Sequence, residues 1–215
     1  MLKLGVLISG RGSNLQAILD AIERGRLAAR VAVVLSNRSK AEGLERAAAA
    51  GVPTTVVRHG DHADREAFDA AMVRELKSAG VDWVVLAGFM RIVTPVFLGA
   101  FPRRVLNIHP SLLPAFAGVD AQQQALDYGV RVSGCTVHLV DEGVDAGPII
   151  AQAVVPVRPD DDRDALSHRI LTQEHELLIR ALGWIADGRL AVEPAEDGGR
   201  PRVVVDGAEP WIMPV

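Results

Sequence analysis

The chain has 215 residues, 49% hydrophobic and 23% charged, enough to bury a sizeable core and most simply organised as one large domain. A formal net charge of -4 and a pI near 5.9 give no basic field for a polyanion, which argues against nucleic acid as a general partner while leaving room for a local phosphate pocket. Cys135 is the only cysteine, so neither an intrachain disulfide nor a cysteine-based zinc site is available, in keeping with a reducing cytoplasm.

The first residues, Met1-Leu2-Lys3-Leu4-Gly5-Val6-Leu7-Ile8-Ser9-Gly10, are apolar but too short for a membrane span. They run into a glycine turn without a small-residue cleavage pattern and read as a first strand, not a signal peptide. Further strands are expected at Arg30 to Ser36, Thr54 to Arg58, Trp83 to Ala87 and Val105 to His109, with the first at Lys3 to Ser9. Even Trp83 to Met90 is bounded by Asp82 and Arg91, so no membrane segment is expected.

Helical periodicity fills the intervals. Leu15, Ile18, Leu19 and Ile22 mark one helix face, ended by Gly25; Phe68, Met72 and Leu76 mark another before Gly80; Ala47 to Ala50 belong to a helix. Thr94-Pro95 reads as an N-cap followed by proline at the first helical position. Near-continuous apolar strands separated by helices imply an α/β fold with a doubly wound, mostly parallel sheet.

After His109 the pattern changes. Val132 to Val140 alternates Cys135, Val137 and Leu139 against Thr136 and His138, and Ile149 to Val157 follows a Gly-Pro turn, which together suggest an antiparallel C-terminal extension. A helix from about Arg163 to Asp187 turns Leu166, Ile170 and Leu177 inward, and Leu190 to Val205 reads as a hairpin around Asp197-Gly198-Gly199.

Three motifs carry chemistry. Ser9-Gly10-Arg11-Gly12-Ser13-Asn14 joins a strand to a helix; glycines let backbone amides approach an anion at a helix start, so it is either a phosphate site or a tight turn capped by Ser13 or Asn14. Asn107-Ile108-His109-Pro110 places an amide and an imidazole at alternate positions of a strand end, with Pro110 holding His109 extended. Such a pair suits stabilising an oxyanion and managing a proton, although a histidine at a strand end is also often simply hydrogen-bonded. The acidic loop Asp141-Glu142-Gly143-Val144-Asp145-Ala146-Gly147-Pro148 offers a carboxylate that stabilises a protonated imidazole, and Asp145 is the chosen partner; too few oxygen ligands recur there for a calcium cage.

Leu7-Ile8-Ser9-Gly10-x-Gly12-Ser13-Asn14-Leu15-Gln16, Ser36-Asn37, Gly43 to Ala47, Leu86 to Arg91, Asn107 to Pro114 and Asp145-x-Gly147-Pro148-Ile149 together resemble the phosphoribosylglycinamide formyltransferase family, from Leu2 to about Gly188. The resemblance implies a single formyltransferase domain over 1–215, with a ribonucleotide-binding half, 1–106, and a catalytic and folate-binding half, 107–215. It implies transfer of a formyl group from 10-formyltetrahydrofolate, a co-substrate, to the amine of glycinamide ribonucleotide, without a metal.

By the same resemblance Asn107, His109 and Asp145 are catalytic. Gly12, Ser13 and Asn14 hold the phosphate, Pro110 contacts the ribonucleotide and Glu174 meets its ribose hydroxyls. Met90, Arg91, Ile92 and Val93, with Asn107 and Asp141, Glu142, Gly143, Val144 and Asp145, line the folate pocket, and Arg65 meets the folate's glutamate carboxylates, against the alternative of a solvated helix charge. A cytoplasmic monomer or homodimer acting on small molecules is implied. The chain departs from the family pattern at Asp120, where a histidine is expected, and at Leu171, where some relatives carry a polar residue. Methionyl-tRNA formyltransferase, which carries a further C-terminal domain, formyltetrahydrofolate deformylase, which usually carries an N-terminal regulatory domain, and a noncatalytic folate or sugar-phosphate sensor are the competing readings.

Overall fold

A computed structural model describes residues 1–195, 199–207 and 212–213, the last pair for the backbone alone. The chain forms two compact units, Met1–Asn107 and Ile108–Val215.

In the first unit β1 (Leu2–Ile8), β2 (Ala29–Ser36), β3 (Thr54–Val56), β4 (Trp83–Leu86) and the start of β5 (Val105–His109) run parallel in the order β5-β4-β1-β2-β3. Helices α1 (Ser13–Glu23), α2 (Gly43–Ala49), α3 (Arg65–Ser78) and α4 (Pro95–Ala100) make the crossovers. Leu4, Val6, Leu7, Ile8, Val34, Leu35, Val84 and Val85 are buried, which is what a parallel strand covered on both faces requires. The strand order reverses beside β1, so the loops leaving the ends of β1 and β4 border a topological switch point.

Two expectations shift. β3 stops at Val56, because Arg58 leads into a short 3-10 turn at His59–Asp61. The buried face of α1 runs through Leu15, Ile18 and Ala21, leaving Leu19 and Ile22 half-buried. Gly25 follows α1 at φ 69°, the left-handed conformation that ends helices. Thr94 takes the cap position of α4 ahead of Pro95, but its side chain makes no capping bond; its amide instead donates to the buried Asp69 carboxylate at 2.6 Å.

The second unit holds α5 (Ala121–Tyr128), the antiparallel pair β6 (Val132–Leu139) and β7 (Ile149–Pro156), α6 (Arg163–Ala186), the antiparallel hairpin β8 (Leu190–Glu193) and β9 (Arg202–Val205), and β10 (Ile212–Met213), parallel to β7. Asp197 and Gly198 of the expected turn lie outside the described residues. β6 is not half-exposed as its alternation suggests: Thr136 and His138 are as buried as Cys135, Val137 and Leu139. Thr136 tolerates this because its hydroxyl donates to the Ser111 carbonyl at 2.7 Å and accepts from the Leu113 amide at 3.0 Å.

Leu166, Ile170 and Leu177 of α6 are fully buried. The helix starts at Asp162, whose carboxylate accepts the Ala165 amide at 2.8 Å. Asp162→Ala is expected to cost about 1 kcal/mol of stability, read as a lower denaturation midpoint at unchanged cooperativity.

Candidate active site

In the first unit the glycine loop after β1 is shaped by α2. Gly43 donates its amide to the Gly10 carbonyl at 3.0 Å and Arg46 Nε donates to the Arg11 carbonyl at 2.9 Å. A Cβ on Gly12, whose φ is 72°, would stand 2.6 Å from Gly43 Cα, so this glycine is required by both its conformation and its contact. Gly12, not Ser13 or Asn14, occupies the N-cap of α1, and no side chain caps the helix. With two loop carbonyls turned into α2, the backbone at the helix start presents the geometry and dipole that favour an anion.

Three hydrogen bonds that involve side chains tie the loop after β4 in the same unit. Met90 donates its amide to Ser9 Oγ at 2.8 Å, Arg65 Nη2 donates to the Ile92 carbonyl at 3.0 Å, and Thr94 donates to Asp69. Burial pushes the Asp69 carboxyl above its ordinary range. Met90 and Ile92 are exposed, Arg91 half-buried over the Phe68 ring, and Val93 buried. Asn107 is half-buried on β5, in register with Leu86 of β4.

In the second unit His109, the last residue of β5, is buried. Its Nδ1 lies 3.3 Å from Asp145 Oδ2, and its Nε2 lies 2.9 Å from the Phe116 carbonyl. A carbonyl only accepts, so Nε2 carries hydrogen and donates to it; each ring nitrogen therefore faces an oxygen. Asp145 Oδ2 also accepts the Gly118 amide at 2.8 Å. Asp145 has φ 50°, a left-handed conformation aspartate accepts more readily than most residues.

The acidic loop is pulled back onto β6 by Gly147: a Cβ there would stand 1.8 Å from the Leu139 carbonyl oxygen. The Leu139 amide donates to the Pro148 carbonyl at 2.9 Å, closing the loop. Asp141, Glu142, Gly143 and Val144 are exposed on it. Beside Asp145 lies a cavity of about 420 Å³, bordered by Pro114, Asp141, Pro148, Arg200, Arg202 and Val203.

His138 is the residue that sequence reasoning passed over as one member of an alternating strand. It is buried, its Nδ1 donates to the Leu139 carbonyl at 2.9 Å, and its Nε2 faces Asp145 Oδ1 at 3.8 Å. Burial lowers its pKa from the ordinary 6.5, outweighing the pull of Asp145. A histidine opposite an acidic loop was the available signal.

Glu174 is buried on α6, and Pro110 is half-buried after β5. Burial raises the Cys135 thiol far above its usual range, with the Glu174 carboxylate acting in the same direction, so this cysteine is a core residue and no nucleophile. Asp120 stands at the N-cap position of α5 without a side-chain capping bond, and its carboxylate accepts from Arg163 Nε at 2.6 Å. Among the described residues no group of three or more His, Cys, Asp or Glu side chains is placed to hold a metal ion, and no helix is long and apolar enough to cross a membrane.

The chain has an α/β fold and belongs to the formyl transferase family, whose model matches residues 2–182. The particular relatives narrow this. The chain is 46% identical over 185 residues to phosphoribosylglycinamide formyltransferase of Escherichia coli strain K12, covering 86% of this chain and 87% of that protein. It is similar in structure to glycinamide ribonucleotide transformylase 1 of Symbiobacterium toebii, with a TM-score of 0.91 and 54% identity over 95% of this chain and 94% of the other. It is also 49% identical over 194 residues to the trifunctional purine biosynthetic protein adenosine-3 of Drosophila melanogaster; the match covers 89% of this chain and only 14% of that protein.

His138 supplies a pH test. Its folded pKa lies below 6.5, so its contribution to stability is complete above that pH and is lost as pH falls toward the folded value. Over that interval unfolding free energy should fall by up to about 1.4 kcal/mol per pH unit. His138→Gln should flatten this part of the profile, measured as urea midpoints between pH 7.5 and 5; an unchanged slope would contradict the assignment.

Proposed function

We propose that this chain transfers the formyl group of 10-formyltetrahydrofolate to the primary amine of N1-(5-phospho-D-ribosyl)glycinamide, a step of purine biosynthesis. The observation that carries the reading is the His109–Asp145 pair at 3.3 Å, with Asp145 fixed by the Gly118 amide. The relatives named phosphoribosylglycinamide formyltransferase support the choice of substrates.

The chemistry follows from the residue types. The amine attacks the formyl carbon, and the carbonyl oxygen becomes negative in the tetrahedral intermediate. Asn107 and protonated His109 donate hydrogen bonds to that oxygen, a contribution that favours the charge only as it develops. His109 Nε2, which here donates to the Phe116 carbonyl, would exchange that acceptor for the substrate oxygen. Asp145 balances the imidazolium charge from Nδ1. As the intermediate collapses, the bond between carbon and the folate nitrogen breaks; the amine loses one proton and the departing nitrogen gains one, with His109 or a water as the carrier.

In this reading residues 1–106 bind the ribonucleotide, with Gly12, Ser13 and Asn14 on its phosphate, and residues 107–215 supply the catalytic groups, with Pro110 and Glu174 meeting the ribonucleotide. Met90, Arg91, Ile92 and Val93 and the loop Asp141 to Asp145 receive the reduced folate. Arg65, tied to the Ile92 carbonyl, remains within reach of solvent for the glutamate carboxylates. The partners are small molecules only, with neither nucleic acid nor membrane, no metal takes part, and the protein acts in the cytoplasm as a monomer or homodimer.

His109→Ala should retain ribonucleotide binding and lower formyl transfer about 100- to 1000-fold. Asp145→Asn should lower turnover in the same direction while preserving the fold. Turnover is followed as amine-dependent loss of 10-formyltetrahydrofolate. Near-normal transfer by folded His109→Ala would remove the ring from the mechanism, and hydrolysis of the formyl group without the ribonucleotide would assign a deformylase instead.

A further inference from the structure

We propose that Ser9 is a positioning residue that holds the ribonucleotide loop and the folate loop in register through one buried hydroxyl. The inference rests on the function proposed above for those two loops and goes beyond it by naming what couples their placement.

Ser9 is the first residue after β1, buried at the switch point where β1 and β4 lie side by side. Its hydroxyl donates to Asn37 Oδ1 at 2.7 Å and accepts the Met90 amide at 2.8 Å, while its own amide donates to the Gly88 carbonyl at 3.1 Å. The loop after β4 is thus tied at Gly88 and again at Met90 to the residue that opens the glycine loop. Asn37, which follows β2, brings the third parallel strand into the same junction.

A hydroxyl is needed there because the position must both donate and accept. Alanine would leave the part-buried Met90 amide and the buried Asn37 Oδ1 to find other partners, which favours displacement of the loop backbone over an intact but unsatisfied contact. The rest of the loop after β4 is held by Arg65 at Ile92 and Asp69 at Thr94. Loss of the Ser9 hydroxyl therefore releases the loop at Met90, while the backbone bonds from the Ala87 amide to the Leu7 carbonyl and from the Ser9 amide to the Gly88 carbonyl, and α3 with its two anchors, stay in place. The expected consequence is poorer binding of both substrates, with the chemical step, carried by Asn107, His109 and Asp145, affected less.

The test compares Ser9→Ala with Asp82→Asn. Asp82 ties the opposite end of β1, accepting the Lys3 amide at 3.0 Å, and so reports the effect of a lost cross-tie away from both loops. Ser9→Ala should raise KM for the ribonucleotide and for 10-formyltetrahydrofolate by about fivefold or more each, equivalent to roughly 1 kcal/mol, with kcat within about threefold; Asp82→Asn at matched thermal stability should leave both KM values near those of the parent. Equal KM values in Ser9→Ala and the parent, or an equal rise in Asp82→Asn, would overturn the proposal. Amide exchange at Met90 gives a readout independent of turnover: it should be protected in the parent and fast in folded Ser9→Ala. A fast Met90 amide in the parent would overturn Ser9's role, whereas a parent protein with a protected Met90 amide and no formyl transfer would overturn the function alone.

Discussion

The second unit depends on a contact that allows no side chain. Gly147 lies so near the Leu139 carbonyl that a Cβ would fall inside the oxygen's radius, and only this approach lets the acidic loop return directly to β7. Because the loop returns so tightly, Asp145 is held in a left-handed turn with its carboxylate between two histidines and over the Gly118 amide. The geometry of the ionisable groups is therefore a consequence of backbone packing. A carboxylate on a freer loop would spread over many positions and meet the His109 ring in few of them.

The two histidines beside that carboxylate serve different ends. His138 is buried, gives its Nδ1 hydrogen to a neighbouring carbonyl and is biased by burial toward its neutral form. His109, at the strand end, keeps a ring nitrogen directed at an oxygen that a substrate could replace. A similar economy operates in the first unit, where α2 takes up two carbonyls of the glycine loop and so fixes which way its amides face.

Much of this architecture was legible because the parallel strands are apolar runs bounded by glycine and proline, and β5 has the limits its sequence gives, Val105 to His109. Helix α5 was not, since its buried residues are two alanines, Ala121 and Ala125, which make no apolar stripe. The burial of Thr136 and His138 was hidden for a different reason: alternation records polarity, and a polar residue can be buried if its partners come from elsewhere in the chain. Within the candidate site, Asn107 and His109 are alternate residues of one strand, and the choice of Asp145 used the acidic glycine-rich loop between β6 and β7. Ser9 and Gly147 gain their meaning only from distant backbone groups, Met90 and Leu139, which no local pattern reveals.

The cavity beside Asp145 is walled in part by the β8–β9 hairpin, through Arg200, Arg202 and Val203, residues beyond the span 2–182 that matches the family model. That hollow thus takes part of its lining from the acidic loop and β7 and part from the tail. A molecule filling it would meet both Asp141 and Arg200, groups of opposite charge that come from separate stretches of the chain.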